Sequence, residues 1–135
     1  VLAAFARSDL AAETHAATIE RFFDAELERG IAERFGREPG AAVVLQREQL
    51  RERLAALARW QAEQARAGWR ITEHVECRCE ATLVVDGEPF TIRGDVDRID
   101  HHPTLGWRVI DFKTADAGDP PEKTHRTGPA KARKW

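Results

Sequence analysis

The chain has 135 residues, 42% hydrophobic and 33% charged, which is enough for one domain with its own core and too polar for a membrane-spanning bundle. No apolar run approaches the length of a membrane span, so a transmembrane helix is excluded. The net charge of −2 is unevenly divided, with residues 69–120 at −5 and residues 121–135 at +4; a solvated tail accounts for that split, and so does an acidic site beside a phosphate-binding arm.

In chain order, Val1 to Arg7 reads as the end of an apolar helix, with Ser8-Asp9 as a break. Thr14 is the expected cap of the next helix, where Ile19, Phe22, Phe23, Leu27 and Ile31 recur at the spacings of one helical face. Phe35 extends that stripe, and Gly36 to Gly40, with Pro39 inside, turns the chain. A second long helix is expected from about Ala42 to Ala67. Leu50, Leu54, Leu57 and Gln61 mark its apolar stripe, Arg47, Glu48, Arg51 and Glu52 its solvated side, and Gly68 its C-terminal cap. Both stripes read as core rather than as a cofactor or partner groove.

From Trp69 the period changes to 2. Ile71, Glu73, Val75, Cys77 and Cys79 fall on one face, and a bulge or bend is expected near Glu80 before the strand resumes through Val85. Asp86-Gly87 is a strong hairpin signal, and Pro89 to Arg93 opens the next strand. The fold class is therefore α+β: two long helices, then a three-stranded antiparallel meander. The divisions expected are 1–68 helical, 69–115 strands, and 116–135 a polar, basic loop. Cys77 and Cys79 stand at the outer limit for a disulfide, so a reduced pair in a cytoplasmic protein is expected. A zinc site would need two more ligands at finger-like spacing.

The chemistry concentrates in Gly94-Asp95-Val96-Asp97-Arg98-Ile99-Asp100 and, after the turn His102 to Gly106, in Trp107-Arg108-Val109-Ile110-Asp111-Phe112-Lys113-Thr114. Period 2 puts Trp107, Val109, Asp111 and Lys113 on one face and Arg108, Ile110 and Phe112 on the other. A hairpin centred on Thr104 sets Asp97 opposite Asp111, with Cβ atoms about 4.5 to 5.5 Å apart. Two carboxylates that close repel unless one is protonated or a cation lies between them, and burying the second without a cation costs several kcal/mol. Such oxygen ligands suit Mg²⁺ or Mn²⁺. Lys113 can then orient or deprotonate an attacking water, so the pattern suggests metal-assisted phosphodiester hydrolysis. The alternative is a buried ion pair with a spare acid. Asp95 shares the parity of Asp97 and is a candidate to support it, Asp100 is expected to pair with Arg98 or cap the turn, and His101 and His102 read as surface residues.

At these residues the chain resembles the PD-(D/E)XK nuclease superfamily, and within it the RecB-like branch. That branch carries Gly-x-Ile/Val-Asp-Arg-Ile-Asp followed by Asp-Tyr/Phe-Lys-Thr, which Gly94 to Asp100 and Asp111 to Thr114 match nearly letter for letter. The resemblance implies a partial restriction-endonuclease-like core. By position it implies Asp97 and Asp111 as metal ligands, the Phe112 backbone carbonyl as a further ligand, and Lys113 as the catalytic lysine. It also implies a supporting role for Glu76, in the Val75-Glu76 context of the first strand. Lys123, Arg126, Lys131, Arg133 and Lys134 then become candidates for the DNA backbone.

The implied activity is a Mg²⁺- or Mn²⁺-dependent deoxyribonuclease, an exonuclease, acting on DNA ends or single strands in DNA repair or recombination with a helicase domain or subunit as partner. A nucleic-acid-binding or structural module that keeps the fold without chemistry is the alternative. So, less well matched to Asp-x-Lys on a strand, is another metal-dependent phosphotransfer enzyme. Two branch features are not recognisable: His15 lacks the surrounding motif of the branch's helical His, and no Gln-x-x-x-Tyr helix follows Asp-x-Lys. With no methionine at Val1 and no obvious ending at Trp135, the chain reads as cut from a longer protein. The resemblance implies activity for the intact parent rather than for this piece alone.

Overall fold

The computed structural model describes residues 1–112, in the order α1 (Leu2–Ala6), α2 (Ala16–Phe35), α3 (Ala41–Arg66), β1 (Arg70–Val85), β2 (Glu88–His102) and β3 (Gly106–Ile110). The helices precede a three-stranded antiparallel sheet in which each strand pairs with the next, so the α+β meander expected from the sequence is present. Among the described residues no helix is long and apolar enough to cross a membrane.

Helix α2 starts one residue later than expected, because His15 rather than Thr14 is its N-cap. The Glu13 carboxylate accepts from the backbone N–H groups of both Thr14 and His15, which replaces a cap by the threonine hydroxyl. The expected stripe is the core stripe: Ile19, Phe23 and Leu27 are buried, and Phe22 and Phe23 meet Phe5 of α1 edge to face at 5.6 and 5.0 Å. Phe35 ends the helix half exposed and lies outside that core. Complete burial of side chains such as Phe5, Ile19 and Phe23 contributes about 1.5–3 kcal/mol each.

The stripe of α3 differs from the leucine pattern. Its buried positions are Ala58, Gln61, Ala62 and Ala65, Leu54 and Leu57 pack at the margin, and Leu50 is exposed. Alanines bring α3 close to the α2 core, where a leucine at Ala58 or Ala62 would overpack. The helix ends in a Schellman arrangement. Trp69 N–H donates to Gln64 C=O at 3.0 Å, Gly68 N–H donates to Ala65 C=O at 3.2 Å, and Gly68 takes φ +97. A Cβ on Gly68 would lie 2.7 Å from His102 Nε2, so glycine is required twice over.

Strand β1 then runs unbroken to Val85. The irregularity expected near Glu80 lies instead between Ile71 and Val75, where four steps along β1 oppose two along β2. Thr72 explains it: its hydroxyl donates to Ile99 C=O at 2.8 Å and accepts from His74 N–H at 3.2 Å, substituting for ladder bonds. Asp86 and Gly87 close the first hairpin with φ 53 and 86, the two positive values a tight primed turn needs. Val75, Ile71, Arg98 and Asp100 mark the sheet face that meets the helices; the opposite face is uncovered among the described residues.

Candidate active site

The second hairpin pairs Arg98 with Ile110, Ile99 with Val109, Asp100 with Arg108, His101 with Trp107 and His102 with Gly106. That is the register centred on Thr104, and one step beyond the last pair it puts Asp111 level with Asp97. A hydrogen bond fixes the level: Asp97 Oδ2 accepts the Phe112 N–H at 2.6 Å. Asp97, the backbone at Phe112 and Asp111 therefore come together at the open end of the β2–β3 ladder.

Their surroundings differ from a buried pair. Asp97 is half-buried and Asp111 is exposed, on the face that also carries Trp107 and Val109, each 67% exposed. The cost of burying a second carboxylate therefore does not apply here. Mutual repulsion of two neighbouring acids does, and a cation relieves it.

The covered face holds the polar network that positions this end of the sheet. Asp100, fully buried, accepts from Arg98 Nε at 2.5 Å and Nη2 at 2.8 Å, and from Arg108 Nη2 at 2.9 Å. The pairing of Asp100 with Arg98 was expected; the second guanidinium was not. Arg108 Nη1 donates to Gln64 Oε1 at 2.7 Å, and its guanidinium lies 3.9 Å from the Trp69 ring centroid. Trp60 of α3 meets both guanidiniums, at 5.4 and 5.5 Å, and the Phe112 ring edge at 6.4 Å. Two guanidiniums thus share one buried carboxylate on the covered face. Sequence reasoning missed Trp60, Gln64 and Arg108. The available signal was the four-residue spacing of Trp60 and Gln64 on one helix face, which an apolar count passes over.

The remaining candidates fall as follows. Glu76 lies on β1 between the Val75–Arg98 and Cys77–Val96 pairs, level with Asp97, but it is exposed and takes φ 48. Among the described residues no group of three or more His, Cys, Asp or Glu is close enough to hold a metal, so Glu76 does not complete a three-acid cluster. Asp95 pairs in register with Arg78. Lys113 and the tail residues Lys123, Arg126, Lys131, Arg133 and Lys134 lie outside the described residues.

Cys77 and Cys79 are free thiols with sulfurs 3.5 Å apart, and the Cys79 contact pushes the Cys77 thiol up, away from the reactive thiolate. His102 is structural. Its Nδ1 accepts from Thr104 and Leu105 N–H at 3.1 Å, which leaves Nε2 as the donor to Ala67 C=O at 2.9 Å. His15 is held by Glu13 at 2.8 Å, and His101 lies against Trp107 at 4.5 Å.

Asp97, half-buried, and Asp111, exposed, offer carboxylate oxygens on a surface that water can reach. That fits Mg²⁺ or Mn²⁺, which take one or two protein carboxylates and fill the remaining positions with water and phosphate oxygens.

A family model described as PD-(D/E)XK nuclease superfamily matches residues 1–131. No curated protein and no solved structure matches.

Proposed function

This chain belongs to the PD-(D/E)XK nuclease superfamily, and on that footing we propose that it is a RecB-like, metal-dependent DNA nuclease domain serving repair or recombination. The observation that carries the reading is the Asp97 carboxylate tied to the Phe112 N–H, beside Asp111. Asp97, Asp111 and the Phe112 carbonyl are the residues that hold Mg²⁺ or Mn²⁺. Such an ion, when bound, polarises the phosphoryl oxygen and lowers the pKa of water.

The chain's own residues supply the rest. Asp97 anchors the backbone on which its partner ligands sit. Lys113, two positions beyond Asp111, orients or deprotonates the water whose oxygen displaces one ester oxygen of the phosphodiester. Asp100, Arg98 and Arg108 hold the two strands against α3 from the other side. The basic residues Lys123, Arg126, Lys131, Arg133 and Lys134 carry the backbone contact, a helicase is the expected partner, and the free cysteine pair favours a cytoplasmic setting. Exonuclease action is the proposed mode.

The test is degradation of end-labelled linear DNA and of closed plasmid by the full-length protein with Mg²⁺ or Mn²⁺. The reading requires loss of ends-dependent degradation in Lys113→Ala and Asp97→Ala. Wild-type protein that binds DNA in metal without cleaving it would favour the module without chemistry.

A further inference from the structure

Phe112 lies past Arg98 and Ile110, the last pair of the β2–β3 ladder, so the ladder does not align it. Two other contacts do, one to β2 and one to α3. Its N–H donates to Asp97 Oδ2 at 2.6 Å, and its ring meets the Trp60 indole at 6.4 Å between centroids, with the planes 86° apart. The second contact is an edge-to-face pair within the range such pairs prefer. Strand alternation explains the division: Phe112 shares the helix-facing side with Arg108 and Ile110, while Asp111 is turned out to water.

Trp60 is itself held. Its ring lies 5.4 Å from the Arg98 guanidinium and 5.5 Å from that of Arg108, and both guanidiniums donate to the buried Asp100 carboxylate. Its neighbours on α3, Ala58, Gln61 and Ala62, are buried in the core. The half-buried indole is therefore a fixed stop against which the end of β3 comes to rest.

We infer that Trp60 is a positioning residue of the candidate metal site: by seating the Phe112 ring it sets where the peptide joining Asp111 to Phe112 lies, and so how near the Asp111 carboxylate comes to Asp97. The inference rests on the nuclease reading for its effect on cleavage, but the seat is a demand on the metal-free protein. Trp60 acts through Phe112 and touches no reacting atom. Without the indole the peptide loses one of its two ties, whereas Arg108 keeps Asp100 and Gln64 and the ladder nearer the turn stays in place. The displacement is local to the end of β3. Two carboxylates that must converge on one ion tolerate little of it, since a misplacement of about 1 Å can cost about 100-fold in rate.

The test pairs two readouts on the full-length protein. The first is hydrogen exchange resolved to single amides, in EDTA. Trp60→Leu is expected to speed exchange of the Phe112 N–H roughly 3- to 10-fold, the worth of one aromatic pair, with amides from Gly106 to Ile110 changed less than about 2-fold. Trp60→Phe keeps an aromatic partner and should restore most of the protection. Phe112→Leu breaks the same contact from the other side and should speed exchange at its own N–H likewise. The second readout is degradation of labelled DNA with Mn²⁺. Trp60→Leu should lower kcat about 10- to 100-fold with KM within about 3-fold, and Trp60→Phe should regain most of the rate. Because both residues act through one contact, the double variant Trp60→Leu with Phe112→Leu should fall within about 2-fold of the poorer single.

Phe112 exchange unchanged in Trp60→Leu overturns the inference. So does equal acceleration along the whole β2–β3 ladder, which would make Trp60 an ordinary packing residue, and so do rate losses that multiply in the double variant. Should Trp60→Leu fail to fold, the other two single variants decide: Phe112→Leu must show fast exchange and the kcat loss, and Trp60→Phe must show neither. Wild type that cleaves no DNA while the exchange pattern holds would sink the nuclease reading and leave the seat standing. Cleavage by wild type without that pattern would do the reverse.

Discussion

Replacing Asp100 by asparagine keeps the volume of the side chain but removes the negative charge that receives Arg98 and Arg108 beneath the sheet. In the folded protein the Asp100 carboxyl is fully buried and the Arg98 side chain is 4% exposed, joined by two hydrogen bonds at 2.5 and 2.8 Å. The variant would bury the Arg98 guanidinium against a neutral amide whose own N–H groups face it. Breaking a buried pair from one side costs about 3–5 kcal/mol, a large part of the roughly 5–15 kcal/mol that holds a domain folded. For a chain of this size that lowers the thermal midpoint by roughly 10–20 °C. Urea unfolding followed by far-ultraviolet circular dichroism measures it directly. The companion double variant Arg98→Met with Asp100→Leu removes both charges of the pair and should recover most of the loss. Arg108 is a quarter exposed and keeps Gln64 as a partner. A loss below about 1 kcal/mol for Asp100→Asn, or a double variant worse than the single, would refute the claim that this pair anchors the hairpin.

Gly68→Ala should destabilise by about 1–2 kcal/mol in the same urea assay, since it combines a left-handed φ with a clash at His102; stability equal to wild type would show that neither constraint acts. Acidification should weaken the helices. The carboxyls of Glu13, Glu26 and Glu48 are held below their ordinary 4.5, chiefly by hydrogen bonds from His15, Arg29 and Arg47. Depressed groups of this kind contribute fully above about pH 4.5 and lose that contribution as pH falls through their folded values, so the thermal midpoint should drop below pH 4.5; a midpoint that rises there contradicts the assignment. Each is partly exposed and contributes little alone. Lys113→Ala should leave Mn²⁺ affinity within about 3-fold of wild type while degradation of labelled DNA falls by at least about 100-fold, as loss of proton transfer requires; equal losses of both would make the lysine a folding residue instead.

The hairpin register was legible because turn chemistry fixes it: Asp86-Gly87 and the segment from His102 to Gly106 leave each pair of strands one way to align. The covered face was not. Counting apolar side chains puts Trp107 and Val109 toward a core, whereas the structure turns them out and Arg108 in. A guanidinium can go inside once Asp100, Gln64 and the Trp69 ring receive it, and those partners come from β2, α3 and the turn between α3 and β1, which periodicity cannot bring together. The bulge was misplaced for a similar reason, since a single threonine hydroxyl at position 72 takes over ladder bonds without altering the alternation of the sequence. In α3 the leucines drew attention, but close approach of two helices favours the alanines at 58, 62 and 65. At the candidate site, register alone made the approach of Asp97 to Asp111 legible; the hydrogen bond from Phe112 N–H to Asp97 was not, because it forms past the last paired residues.

The most direct measurement is calorimetric titration of the protein with Mn²⁺, wild type beside Asp97→Ala and Asp111→Ala. One ion bound by wild type and by neither variant, with all three folded, is the predicted result. Equal uptake by all three would mean that the neighbouring acids of β2 and the end of β3 do not form the metal site.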